Sequence, residues 1–148
     1  MTTALEPIRK QIAVPLAPDR AFELFTEGMG SWWPMATHSV AMDTASSCRM
    51  ETKDGGRVLE DLADGSVATW GTITAWDPPR RLVFTWHPGG EPDTATEVAV
   101  NFAGNGDVTT VELVHSGWEA RGDMAAQMRA AYVDGWDLVL GDYAGAAG

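Results

Sequence analysis

The stretch GDMAAQMRAAYVDGWDLVLGDY, residues 122–143, decides the fold of this chain of 148 residues. Its apolar side chains recur at intervals of three or four, which is the period of an α-helix. Asp123 precedes the pattern as a candidate N-cap, and we expect the helix to fray at Gly141 and Gly145. About twenty residues at about 1.5 Å each make a rod of about 30 Å, the diameter of a small domain.

Almost all strand signals precede that helix. Residues 7–16 alternate between two sets of side chains and predict a half-exposed or edge strand that Pro15 ends. Two short helices are expected next, one opened by Pro18 and one around residues 31–33, followed by a loop over 35–47. Turn signals then separate six predicted strands, at 48–53, 57–62, 67–76, 81–87, 94–102 and 108–116. An antiparallel meander with helices on one side is an α+β fold.

Composition excludes several classes of function. Apolar residues make up 45% of the chain and charged residues 21%, which is typical of a globular protein. The formal net charge of −11, without any Lys/Arg cluster, argues against nucleic acid and anionic membranes as partners. No apolar run reaches the ~18 residues of a membrane span, and the N-terminus has no signal-peptide pattern.

Cysteine usage and length complete this picture. Cys48 is the only cysteine, so no disulfide within the chain is expected, and we interpret it as a small buried core residue. The three histidines are far apart in sequence and show no metal-ligand spacing, and we predict neither a metal nor a cofactor. We expect one cytoplasmic domain over residues 1–148, with disorder limited to residues 144–148.

A series of short sequence words resembles the START-like (SRPBCC) superfamily, and in particular the homologues of the activator of the heat-shock-protein-90 ATPase. The words lie in order along nearly the whole chain: Ile12-Ala13-Val14-Pro15, Pro18-Asp19-Arg20-Ala21-Phe22, Trp32-Trp33-Pro34, Gly55-Gly56-Arg57, Trp70-Gly71, Asp77-Pro78-Pro79-Arg80-Arg81-Leu82, His115-Ser116-Gly117-Trp118 and Gly135-Trp136. The resemblance implies a helix-grip fold, a curved antiparallel sheet of about seven strands around a long C-terminal helix, with two short helices after the first strand.

The resemblance also implies a tunnel beside the long helix, since the superfamily includes lipid carriers, hormone receptors, polyketide cyclases and stress-associated proteins. Large aromatic rings and adaptable methionines suit such a cavity, although the same residues could simply fill a core. The candidate ligand-binding residues are Trp33, Glu60, Phe84, Trp86, His115, Trp118, Met124, Met128 and Tyr132.

Two candidates also have acid–base chemistry. His115 continues the inward row of Val111 and Leu113, either as a core histidine bonded to the backbone or as a group that orients a ligand or moves a proton. Glu60 alternates with apolar neighbours, so it is paired with Arg49 or Arg57, solvated, or a carboxyl of raised pKa. His38 is expected on the surface or at the pocket entrance, and His87, which ends a strand, is expected at the rim.

Three hypotheses for function stay open. The first is binding of a small hydrophobic or amphipathic molecule between the sheet and the long helix, without catalysis. The second is a cyclase- or hydratase-like enzyme with Glu60 and His115 as its acid–base pair. The third is a co-chaperone or other protein-interaction module. A homodimer is a further expectation, and a chaperone contact has no sequence feature of its own to support it.

Overall fold

The computed structural model describes residues 6–34, 47–62, 64–87 and 92–148. The strands are β1 (Ile8–Val14), β2 (Ser47–Met50), β3 (Arg57–Asp61), β4 (Val67–Asp77), β5 (Arg81–Trp86), β6 (Thr96–Asn105) and β7 (Val108–Ser116). The α-helices are α1 (Pro18–Thr26), α2 (Met29–Trp32) and α3 (Ala125–Ala147), and 3₁₀ helices cover Pro92–Thr94 and Trp118–Met124. Apart from Ser47, the loop predicted over 35–47 lies outside the described residues.

The seven strands form one antiparallel sheet in the order β1-β7-β6-β5-β4-β3-β2. Strands that follow one another from β2 to β7 are neighbours, and β1 pairs with β7 at one edge. This is the predicted meander, with α1 and α2 inserted after the first strand and α3 at the end. The sequence-based expectation of a helix-grip fold is therefore confirmed.

The register of the sheet explains which side chains face the helix. Val98 lies opposite His115 and Val100 opposite Leu113, and β5 continues the same rows because Phe84 lies opposite Val98. All of these residues are buried. Since residues two apart share a face of a strand, the inward orientation predicted for His115 is confirmed, and β6 and β5 continue its row across the sheet.

The start of α3 differs from the prediction. A 3₁₀ helix occupies Trp118–Met124, and Gly122 within it has φ 56° and ψ −127°. Such a backbone conformation is essentially restricted to glycine, and it separates the 3₁₀ helix from α3. The α-helix therefore begins at Ala125 after Met124, and Asp123 is not its N-cap.

The end of α3 also differs, because the helix continues through Gly141 and Gly145 to Ala147. The predicted fraying and the predicted disorder of residues 144–148 are both wrong. Tertiary contacts hold this end, since the Tyr143 hydroxyl donates to the Ala21 carbonyl at 2.7 Å and Ala147 packs against the core. Packing outweighs the low helix propensity of glycine here.

Candidate ligand site between the sheet and the long helix

A layer of aromatic rings fills the middle of the space between the sheet and α3. We call Trp33, Trp70, Trp86 and Trp136 the tryptophan cluster. Trp33 follows α2 directly, Trp70 lies on β4, Trp86 on β5 and Trp136 on α3. The ring centroids of the contacting pairs are 5.1–6.1 Å apart. All four indoles are buried. Tilted and edge-on contacts at these separations stabilise the layer beyond the burial of its apolar area.

A second group of rings continues the layer towards the start of α3. We call His115, Trp118 and Tyr132 the histidine cluster. The imidazole lies 4.2 Å from the Trp118 ring and 5.0 Å from the Tyr132 ring. Trp136 joins the two clusters, since it contacts both His115 and Tyr132. The tight turn at Gly117, with φ 79°, brings Trp118 back over the end of β7.

Both ring nitrogens of His115 are occupied by protein partners. The Trp136 indole Nε1–H, which can only donate, lies 2.9 Å from Nδ1. Nδ1 is therefore the acceptor, and the proton of the neutral ring is on Nε2, which donates to Thr96 Oγ1 at 2.6 Å. Thr96 Oγ1 in turn donates to the Trp86 carbonyl at 3.2 Å. These bonds fix the tautomer and the orientation of the imidazole.

The electrostatics of the site keep His115 neutral. Burial first, and the positive charge of Arg121 second, lower the pKa of the imidazole from 6.5 to about 3. A histidine with this pKa carries no charge at neutral pH and is a poor proton acceptor. Of the two roles considered for His115, a core histidine fits better, although its ring partners are side chains and not the backbone.

Tyr132 connects the sheet to α3. Its hydroxyl oxygen accepts a hydrogen bond from Trp86 Nε1 at 3.0 Å. Burial raises the pKa of the phenol, while the bond from Trp86 and the charge of Arg121 lower it, and the net change is upward. Arg121 itself lies at intermediate burial, and its buried Nε has no hydrogen-bond partner within the described part of the chain.

Glu60 is fully buried at the other side of the tryptophan cluster. Its Oε1 accepts a hydrogen bond from Trp70 Nε1 at 3.0 Å. Two of the three alternatives for Glu60, solvation and pairing with Arg49 or Arg57, are wrong. The side chain is buried, and Arg49 pairs with Asp61 at 3.2 Å while Arg57 pairs with Glu51 at 3.0 Å.

Cys48 lies opposite Glu60 in the β2–β3 ladder and is buried. Burial first, followed by the negative charges of Glu60 and Asp61, raises the pKa of its thiol to about 12. The interpretation of Cys48 as a core residue is confirmed. This side of the interior therefore holds an acidic group and an inert thiol, and no nucleophile is formed by them.

The structure brings together most of the predicted ligand-binding residues. Trp33 and Trp86 meet in the tryptophan cluster, with Phe84 5.6 Å from Trp86, and the remaining ring residues form the histidine cluster. Met128 is half-buried and packs against the core. Met124 is 50% exposed at the start of α3 and stands apart.

Other predicted residues are placed differently. Glu60 on β3 and His115 on β7 are four strands apart in the sheet, with the rings of Trp70 and Trp86 between them. His87, expected at the rim, is buried, and its backbone N–H donates to the Trp70 carbonyl. His38 lies outside the described residues.

Four residues of the site were not among the predicted ones: Trp70, Thr96, Arg121 and Trp136. Thr96 shares the inward alternation of Val98 and Val100, so the period of two could have identified it. Trp136 follows Tyr132 by one helical turn, so the apolar pattern of residues 122–143 could have identified it. Arg121 lies in the segment between β7 and α3, which has no periodicity to show where its side chain points.

Residues 6–34, 47–62, 64–87 and 92–148 contain neither a candidate membrane-spanning helix nor a candidate metal site. None of the helices there is long and apolar enough to cross a membrane. The same residues contain no group of three or more His, Cys, Asp or Glu side chains arranged to hold a metal ion.

A curved antiparallel sheet closed on a long C-terminal helix defines the helix-grip class of proteins. The sequence profile of the family described as activator of Hsp90 ATPase homolog 1-like protein matches residues 15–142. The chain therefore belongs to this family, as its sequence words indicated. A comparison with the sequences of curated proteins finds no match.

Solved structures with the same fold include proteins of different activities. The anthrahydroquino-gamma-pyrone synthase Txn09, complexed with SUM, is 29% identical, with coverage of 98% and 99% of the two chains and a TM-score of 0.65. CalC, a self-sacrificing resistance protein from Micromonospora echinospora, is 26% identical, with 96% and 94% coverage and a TM-score of 0.72. The Aha1 dimer from Colwellia psychrerythraea is 18% identical, and the match covers 97% of this chain and 96% of that chain with a TM-score of 0.68. At this identity the likeness shows the fold alone.

Proposed function

We propose that the protein binds a small hydrophobic or amphipathic molecule against the aromatic layer between the sheet and α3. The observation that carries this proposal is the continuous run of rings from Trp70 through Trp86 and Trp136 to Trp118. These four rings are buried and form the rigid inner part of the layer, whereas the half-buried rim at Tyr132 offers an apolar contact area to a flat molecule. The indole N–H groups of these four residues are bonded within the protein, so the rings are held rigidly and support Tyr132, which packs on Trp118 and Trp136.

The ligand is expected at the Tyr132 end of the layer. The four indoles of the tryptophan cluster already contact one another, whereas Tyr132 and Met128 are half-buried and lie one turn apart on α3. A flexible thioether beside an aromatic ring adapts to apolar shapes of different outline. Tyr132 adds a polar group that can orient an amphipathic molecule at the edge of the apolar surface.

The likeness to the anthrahydroquino-gamma-pyrone synthase favours a flat, fused-ring ligand over a flexible acyl chain. That protein is 29% identical over nearly the full length of both chains. Its named product combines an anthrahydroquinone with a pyrone, and fused aromatic systems of this kind are complementary to a layer of indole and phenol rings.

The same likeness supports a second candidate, a cyclase-like reaction on such a ligand. The proposed pair of Glu60 and His115 fits this candidate poorly, because both nitrogens of His115 are occupied and three strands lie between β3 and β7. Any catalysis would then come from holding a reactive chain in a folded conformation on the aromatic layer. Incubation with a linear polyketone and chromatography of the products distinguishes catalysis from binding.

The binding proposal is tested with the uncharged dye N-phenyl-1-naphthylamine, whose emission rises in apolar surroundings. We expect saturable uptake at one site per chain and, in native mass spectrometry, one dye per protein. The Met128→Glu variant places a charge at the half-buried end of the layer and should weaken uptake at least about tenfold, the effect of an uncompensated charge in an apolar contact. Leu138→Glu, at an exposed position of the same helix, is the matched control and should bind normally.

No uptake by the unmodified protein, or equal uptake by both variants, would contradict the proposal. The protein-interaction hypothesis would then take its place. A homodimer also stays a proposal, which sedimentation velocity over a range of protein concentrations tests directly.

A further inference from the structure

We propose that the ligand of this site is an organic anion, and that Arg121 and the hydroxyl of Tyr132 bind its ionised oxygen. This inference rests on the proposed function and specifies the chemistry of the molecule bound. It comes from two hydrogen-bond donors that have no acceptor in the described part of the chain.

The first donor is Arg121. Its Nε is buried from solvent and has no hydrogen-bond partner among the described residues. A buried donor without a partner is costly, and more so when it belongs to a charged group. Guanidinium is always charged and only donates, with a planar geometry that matches carboxylate and related anions.

Five other cations have bonding partners within the described residues, in contrast to Arg121. Lys10, Arg49, Arg57 and Arg80 each pair with a carboxylate, and Arg129 donates to backbone carbonyls of residues 6 and 7. Within the described residues, Arg121 forms no such pair. The structure therefore places an uncompensated positive charge beside the aromatic layer.

The charge of Arg121 acts on the histidine cluster itself. It lowers the pKa of both His115 and Tyr132, as the second cause for the imidazole and the last for the phenol, so its charge lies within electrostatic range of each. The 3₁₀ helix that carries it ends at Gly122, whose backbone conformation sets the direction of the chain before α3. Arg121 is therefore held at the end of the layer where we expect the ligand.

The second donor is the Tyr132 hydroxyl. Its oxygen accepts the bond from Trp86 Nε1, which leaves its own O–H to donate, and the described residues provide no acceptor for it. His115 cannot serve, since Nδ1 already accepts from Trp136 and Nε2 is itself a donor. The Nε of Arg121 and the hydroxyl of Tyr132 are thus both donors without an acceptor, and an oxyanion would supply that acceptor.

The overall charge of the chain makes such recognition selective. A net charge of −11 repels anions from the surface in general. Binding of an anion would therefore require a specific cation, and would not arise from nonspecific attraction.

A pair of dyes tests the inference. N-phenyl-1-naphthylamine is neutral, and 8-anilinonaphthalene-1-sulfonate has the same ring framework with a sulfonate. The ratio of their dissociation constants should change about tenfold or more in Arg121→Met, in the direction of weaker sulfonate binding, as expected for one charge-assisted hydrogen bond. Arg20→Met, at an exposed position of α1, removes the same charge and should leave the ratio unchanged.

A second measurement needs no variant and so does not depend on the folding of Arg121→Met. Naphthalene-2-carboxylate and naphthalene-2-carboxamide compete for N-phenyl-1-naphthylamine bound to the unmodified protein. We expect the carboxylate to compete at an about tenfold lower concentration. Equal competition, or an unchanged dye ratio in Arg121→Met, overturns the inference while leaving the proposed function in place. No binding of either dye overturns both.

Discussion

The indole Nε1–H of Trp136 donates to Nδ1 of His115 at 2.9 Å and thereby determines which nitrogen of a buried imidazole carries the proton. One residue of α3 thus controls the protonation of a residue on β7, the strand next to the edge strand β1. Thr96 accepts from the opposite nitrogen, and all three side chains are buried. The helix and the sheet are therefore joined by directed bonds as well as by apolar contact.

The depressed pKa of His115 predicts a pH dependence of stability. The folded pKa of about 3 lies below the ordinary 6.5, so between these values the unfolded chain binds more protons at this site. Stability contributed by neutral His115 is complete above pH 6.5 and declines as pH falls towards 3, by up to about 1.4 kcal/mol per pH unit. Urea unfolding from pH 7 to pH 5 should show this slope, and His115→Gln should reduce it. Equal slopes for the unmodified protein and His115→Gln would contradict the depressed pKa of His115.

Trp136→Phe tests the bond that fixes the tautomer. The phenyl ring keeps much of the apolar contact but leaves Nδ1 of His115 as a buried acceptor without a donor. We expect a loss of about 1–3 kcal/mol in the free energy of unfolding, together with an upward shift of the His115 pKa in an NMR titration. Trp76→Phe is the matched control, because Trp76 is half-buried and its indole nitrogen forms no bond with the described residues. An unchanged His115 pKa in Trp136→Phe would argue against the assigned tautomer.

Two glycine substitutions should have opposite effects. Alanine at Gly122 meets no atom within 4 Å, but φ of 56° is unfavourable for any side chain, so we expect a loss of about 1–3 kcal/mol. Alanine at Gly141, inside α3 and also in open space, should stabilise the protein by about 0.5–1 kcal/mol. Thermal or urea unfolding compares the two. A neutral Gly122→Ala would show that the 3₁₀–α3 junction readily takes another conformation.

Cys48 should be unreactive in the folded protein. Its thiol is buried, with the pKa raised from 9.0 to about 12. Because the thiolate is the reactive form, its fraction at pH 8 is roughly 1,000-fold lower than that of an unperturbed thiol. Reaction with an aromatic disulfide reagent should therefore be slow until guanidinium chloride unfolds the chain, and then consume one thiol. Rapid reaction of the native protein would place Cys48 outside the core.

The sequence predicted those features that follow from a regular period. Alternation along β7 identified His115 as inward because a strand places every second side chain on the same face, and the helical period located most of α3. The beginning of α3 was not predictable in this way, since it depends on a single backbone conformation at Gly122. Its end depends on Tyr143 reaching Ala21, a contact between distant parts of the chain.

Partners of buried polar groups were harder to predict than their positions. Charge complementarity suggested an arginine for Glu60, whereas the carboxylate accepts from the indole of Trp70 on the neighbouring strand. The register of β3 with β4 shifts between Val58 and Leu59, and such an irregularity changes which side chains are adjacent without altering the apolar pattern. Arg121 escaped prediction because nothing in the sequence distinguishes it from an exposed arginine.

The close spacing of the indoles gives the protein an intrinsic optical reporter. Trp33, Trp70, Trp86 and Trp136 form a chain of contacts with centroids no more than 6.1 Å apart, so their electronic transitions are coupled. A shift of α3 that moved Trp136 alone would change the near-ultraviolet circular dichroism of the whole group. Any displacement of α3 relative to the sheet can thus be followed without a label.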